Sequence, residues 1–134
     1  MPSDEGGGRE EPVWLPLEEL EAINRRQLVF GEKFKVWFPN ELASALARPH
    51  FYWSNGEDDV IVLASMLCCG IARQQCFEAA NKRTALAAAH SFLGANGYRL
   101  HDDGTLGLQV EQFAEKKITE DQFTQILRRF IVPE

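Results

Sequence analysis

Long apolar runs are missing from this sequence, and so is any excess of positive charge. Its 134 residues contain no unbroken apolar stretch of the roughly 20 residues that a membrane-spanning helix needs. Nor is there a basic start leading into an apolar signal core, so the expectation is a cytoplasmic protein with no membrane partner. The 14 Lys and Arg against 20 Asp and Glu leave a net charge of −6. An acidic surface repels phosphate backbones, which points away from nucleic acid and toward a nucleotide or protein met by locally focused basic groups. Cysteine is scarce too. Cys68, Cys69 and Cys76 are odd in number and form no C-x-x-C pair, so no disulfide framework and no metal site is expected, and the three read as small buried hydrophobes. No internal repeat or low-complexity core segment occurs.

What is present is the ordinary stuff of a globular domain, with 45% apolar and 25% charged residues. The length suits one core. Residues 1–12 carry three consecutive glycines and mostly charged neighbours and cannot bury enough apolar surface to offset the entropy of ordering. They are expected to form a disordered tail ahead of a single domain over residues 13–134.

Apolar positions Leu17, Leu20, Ile23 and Leu28 recur at helical spacing behind Pro16, predicting a first helix. From Phe30 to Phe38 the period changes to two: Phe34, Val36 and Phe38 alternate with Lys33, Lys35 and Trp37, which suits a small β-hairpin or flap. Asn40 is placed to cap a short helix through Ala47, ended by Pro49 because proline pushes its predecessor out of the helical region. Aromatic residues follow up to the turn Asn55-Gly56. A long helix is predicted from Asp58 or Asp59 to about Ala72, apolar on more than one face and so central to a bundle. A further helix runs from Asn81 and stops at Gly97. Asp102-Asp103-Gly104 reads as a turn and Leu106 to Lys117 as a helix. Thr119 with Gln122 fits a capping box for a last helix carrying Phe123, Ile126, Leu127, Phe130 and Ile131. Of the histidines, His90 is read as a partly buried imidazole among alanines, and His50 and His101 as turn residues. Arg48 reads equally well as an ion-pair partner and as a helix-end cap. Trp37, Phe51, Tyr52 and Trp53 are read as packing residues, whose exposure would mark a protein-binding surface.

The most telling stretch is Gln75-Cys76-Phe77-Glu78-Ala79-Ala80-Asn81-Lys82-Arg83-Thr84. It places Asn81, Lys82 and Arg83 at the start of an alanine-rich helix. Unpaired amides and the positive dipole end there favour an anion before any side chain contributes. Arg83 can add a planar fork to phosphate oxygens and Lys82 a point charge.

These residues resemble the signature loop of the Fic/Doc (Fido) family, which reads approximately H-x-F-x-[DE]-[GA]-N-[GK]-R. The run Ala80-Asn81-Lys82-Arg83-Thr84-Ala85-Leu86 is most similar to its Doc branch, the death-on-curing toxins. Leu42 to Pro49 resembles the segment ahead of the family's central helix, and Phe92-Leu93 through Asn96-Gly97-Tyr98-Arg99-Leu100 resembles the end of its post-loop helix. The resemblance implies an all-α, Fido-type helical bundle with a small β-hairpin flap, built around the helix pair Asp59 to Ala72 and Asn81 to Asn96. It implies transfer of a phosphoryl or AMP group from ATP or a related nucleotide to a protein hydroxyl. The partners it implies are a small antitoxin and a target such as translation elongation factor Tu. Asn81 would fix the loop and contact phosphate, Lys82 and Arg83 would hold the triphosphate, and Phe77 would anchor the loop in the core.

Two positions depart from the pattern. The family's catalytic His corresponds to Gln75, and the acid that holds its metal corresponds to Ala79. A glutamine amide cannot take a proton from an attacking hydroxyl, a role worth about 10²–10⁴-fold. Without the acid, Mg²⁺ lacks its usual ligand and the triphosphate charge is less neutralised. The expectation is a Doc-like toxin component whose transfer activity is weak or lost, with a catalytically inactive nucleotide- or partner-binding module as the alternative.

Overall fold

In the computed structural model, which describes residues 9–134, six helices and two short strands follow one another along the chain. The helices are α1 (Leu17–Gln27), α2 (Pro39–Ser54), α3 (Val60–Gln74), α4 (Asn81–Ala95), α5 (Leu106–Ala114) and α6 (Glu120–Arg128); the strands are β1 (Tyr98–Leu100) and β2 (Ile131–Pro133). The fold is all-α and Fido-type, with one small antiparallel sheet. The expected disordered tail lies, for residues 1–8, outside the described residues. From Arg9 to Pro16 the chain has no regular secondary structure, and the Arg9 side chain reaches Asp58 and the Trp53 carbonyl.

Helix α3 is the axis of the bundle, because Leu63 to Ala72 is buried without a break. A helix apolar all round can lower its free energy only by being surrounded, and α2, α4 and α6 pack on it. Each fully buried Leu, Ile or Phe contributes about 1.5–3 kcal/mol. Asp59 caps α3 by accepting from the Ile61 amide at 2.9 Å. Where α2 crosses α3, Gly70 faces Ala45, and an added Cβ would meet the Ala45 methyl at 3.5 Å, an ordinary contact. At the end of α4, Gly97 takes φ +87°, the left-handed turn foreseen for it. The capping box of α6 has both bonds: Gln122 N–H to Thr119 Oγ1 at 3.1 Å and Thr119 N–H to Gln122 Oε1 at 2.8 Å.

Several sequence-based expectations are corrected. Helix α2 does not stop before Pro49 but runs through it to Ser54, with Pro49 buried. An interior proline costs roughly 3 kcal/mol. Tertiary packing offsets that cost, because the extra turn brings His50 into a stack on Trp14 at 4.7 Å and Trp53 edge-on to the same ring at 6.1 Å. His50 is therefore a helical residue, and His90 is exposed rather than partly buried. Arg48 pairs with Glu120 at 2.9 Å. Phe51 and Tyr52 are exposed.

Residues 30–38 do not form a hairpin. α1 ends at Gln27, the chain turns at Gly31, and among the described residues no first strand precedes the extended segment for it to pair with. Val36 instead bridges Phe77 of the loop before α4, with the Trp37 N–H donating to Cys76 O at 2.7 Å and the Glu78 N–H to Lys35 O at 2.9 Å. The alternation is real nonetheless, since Phe34 and Val36 pack on the core while Lys33, Lys35 and Trp37 face outward. The small sheet forms elsewhere. β1 pairs with β2 in the register Tyr98↔Pro133, Arg99↔Val132 and Leu100↔Ile131, so Ile131 is a strand residue and not part of the last helix.

Candidate functional site

The loop between α3 and α4 is held by its own residues. Gln75, at the end of α3, has φ +49°, and Ala80, just ahead of α4, has φ +64°. Both lie in the left-handed region, which costs non-glycine residues free energy and persists only where surroundings enforce it. Between these corners Phe77 is 2% exposed and inserts its ring into the core. Asn81 makes a reciprocal pair with Phe77, its Oδ1 accepting from the Phe77 N–H at 2.9 Å and its Nδ2 donating to the Phe77 carbonyl at 2.8 Å.

From the other side, Asn24 of α1, itself fully buried, donates to the Ala79 carbonyl at 3.0 Å and to Thr84 Oγ1 at 2.9 Å. The outer edge is zipped to Lys35–Phe38. The first helical bond of α4 runs from Thr84 N–H to Ala80 O at 2.9 Å. By helix geometry the amides of Asn81, Lys82 and Arg83 thus lack intrahelical acceptors.

Around this helix start lies a cavity of about 410 Å³ lined by Gln75, Glu78 to Arg83, and Glu111 of α5. The sequence-predicted site residues Gln75, Ala79, Asn81, Lys82 and Arg83 are all brought to it. A second cavity of about 440 Å³ shares Gln75 as a wall and is more apolar, lined also by Phe113, Ile118, Arg73 and Glu120. Arg73 is fixed there by an ion pair to Glu120 at 2.9 Å and by lying 5.3 Å over the Phe113 ring. Lys82 is exposed. Arg83 is not open: its Nη2 reaches both oxygens of Glu32, at 3.0 and 2.8 Å, and its Nη1 donates to the Gln27 carbonyl. Hydrogen bonding to Arg83, then to the Val29 amide, holds the Glu32 carboxyl below the usual glutamate value.

Glu111, Phe113, Asn24 and Glu32 were missed by sequence reasoning. Nothing local in the sequence signals them, because each comes from an element distant in the chain from the loop.

As for a metal, Ala79 offers no side-chain ligand, and among the described residues no cluster of three His, Cys, Asp or Glu could hold an ion. Glu78 and Glu111 are the carboxylates that line the loop cavity. This donor set does not make a resident metal site. Among the described residues no helix is long and apolar enough to cross a membrane.

A helical bundle whose two central helices flank a fixed loop and its cavity, with an extended segment zipped along the loop, has the Fido-type fold. The chain belongs to the Fic/DOC family: the model of that family matches residues 14–93, from Trp14 through most of α4, and its chemistry is generally nucleoside-triphosphate-dependent modification. A search of curated proteins finds no match to the chain. Glu111 and Phe113 lie beyond the matched segment, so the far walls of both cavities are built by residues outside it.

Proposed function

We propose that this chain is a Doc-like member of the family that binds ATP or a related nucleotide, with its phosphates at the start of α4. The observation that carries this reading is the loop cavity, in which three amides without helical acceptors and Lys82 meet under a loop fixed by Asn81 and Asn24. Anions gain both hydrogen bonds and dipole stabilisation at such a place. The adjoining, more apolar cavity, lined by Arg73, Phe113 and Ile118, offers the rest of a nucleotide apolar surface and one cation beside the phosphates.

Catalysis is the weaker half of the site. Gln75 stands where a general base is needed and has no proton to exchange near neutrality. Ala79 leaves magnesium, if it enters with the nucleotide, without the usual acidic ligand. The chain's own residues bind and orient the phosphates. The transfer step, of a phosphoryl or AMP group to a protein hydroxyl, is weak or lost. In the organism the chain is then the toxin component of a toxin–antitoxin module, with elongation factor Tu or another protein as its target. A small antitoxin would cover exposed apolar surface at the extended segment, with Trp37 and Phe38, or at the aromatic stretch Phe51 to Trp53, where Phe51 and Tyr52 are exposed.

The alternative, a catalytically inactive nucleotide- or partner-binding module, is favoured by the same Gln75 and Ala79. Titration calorimetry with ATP, with and without magnesium, followed by a labelled-transfer assay, separates the readings. Binding with slow turnover supports the first and binding with none the second; absence of binding overturns the nucleotide assignment.

A further inference from the structure

Asn24 is completely buried, yet its amide is only half satisfied. Nδ2 donates to the Ala79 carbonyl at 3.0 Å and to Thr84 Oγ1 at 2.9 Å, while among the described residues Oδ1 has no partner. The orientation of the amide is fixed, since turning it over would set Oδ1 against the Ala79 carbonyl oxygen. An apolar side chain of similar size would spare the unmet acceptor but would leave the Ala79 carbonyl and the Thr84 hydroxyl without this donor. The side chain is therefore explained by what its donor atom holds.

What it holds is the peptide between Ala79 and Ala80. No cis peptide bond occurs among the described residues, and in a planar trans peptide the N–H points away from the C=O. With the Ala79 carbonyl tied back to Asn24, the Ala80 N–H is turned toward the opposite side, where Ala79, Ala80 and Asn81 line the loop cavity. Ala80 itself sits at φ +64°, a conformation that alanine leaves unless restrained. The second bond, to Thr84, fixes the same amide to the first turn of α4, so that loop corner and helix start are held in one register by a residue 55 positions before Ala79.

We infer that Asn24 is a positioning residue: it presents the Ala80 amide to a phosphate group bound at the start of α4. This rests on the nucleotide reading above. The test is amide-resolved NMR of the intact chain titrated with ATP. In the wild type the backbone amides of Ala80, Asn81 and Lys82 shift, and the Asn24 side-chain amide moves on the same binding curve, since polarisation of the shared peptide is felt at both ends. Asn24→Ala removes the Ala80 response and weakens binding about tenfold, the effect of one hydrogen bond to a charged group. Thr84→Val, which keeps the bond to Ala79, retains the Ala80 response. No response at all in the wild type overturns the nucleotide reading and this inference with it. An Ala80 amide that still shifts in Asn24→Ala, or an Asn24 resonance that stays still while Ala80 moves in the wild type, overturns this inference alone. The wild-type observation needs no variant to fold.

Discussion

Arg83 and Glu32 are bound to each other across the mouth of the loop, one terminal nitrogen of the arginine touching both carboxylate oxygens at 3.0 and 2.8 Å. The arginine most suited by chemistry to grip a phosphate is thus already engaged by an acid from the segment after α1. A phosphate that uses Arg83 must compete with that carboxylate. Both groups are partly exposed, at 43% and 28% of the side chain, so the pair exchanges readily with solvent and is a modest obstacle.

Replacing Arg83 by Ala is expected to weaken ATP binding while leaving the thermal midpoint nearly unchanged. Glu32→Gln is expected to act in the opposite sense, tightening ATP by roughly three- to tenfold as the competing charge is removed. Calorimetry on both variants checks the pair of signs. Wild-type affinity in Arg83→Ala would show that the arginine serves only Glu32.

The same contact sets a pH dependence. Glu32 is held below the ordinary glutamate value first by hydrogen bonding to Arg83, so its folded-state pKa is the depressed one. A group of that kind contributes stability above its unfolded value, about 4.3, and the contribution is lost as pH falls through the folded value. Carbon-detected titration of Glu32 should show a midpoint under about 4.3, returning toward that value in Arg83→Ala. A midpoint the same in both proteins would contradict the contact.

The thiols should be silent. Burial, with Glu120 adding to it, pushes Cys69 up to about 12; burial likewise raises Cys68, and Cys76 is raised by burial and by Glu41. Since the thiolate is the reactive form, iodoacetamide at pH 8 should label none of the three in the folded chain and all three in denaturant. Fast labelling of Cys68 or Cys69 in the native state would mean that α3 opens.

Restoring the loop chemistry is the most discriminating experiment. Gln75 already has a left-handed backbone, a conformation in which His is enriched, so Gln75→His should fit without rearrangement. Combined with Ala79→Asp it should return a base and a metal ligand to a framework of Phe77, Asn81 and Arg83. Either change alone should do little, because residues that act as a unit are strongly non-additive. The double variant should label a bacterial protein or itself with phosphate or adenylate and become toxic when expressed without an antitoxin. A double variant that folds, binds ATP with magnesium and modifies nothing would leave the binding module as the reading.

Much of this protein is set by short-range rules that its sequence displays. The start of α3 at Asp59, the stop of α4 before Gly97, the Thr119–Gln122 capping box and the Asn81-Lys82-Arg83 helix start all depend on residues within a few positions of one another. Local hydrogen-bonding chemistry decides them, so they are legible. Tertiary packing decided the rest. It carried α2 through Pro49 because Trp14 lay waiting for His50 and Trp53. It turned residues 35–38 from a hairpin into an edge paired with the loop, and it made the two-residue alternation serve a core face instead of a partner strand. The site divides in the same way. The helix start at Asn81 to Arg83 is local, whereas Asn24 behind it, Glu32 on Arg83 and Glu111 at the cavity are brought there by the bundle, and contacts between residues dozens of positions apart follow from how whole helices bury their faces.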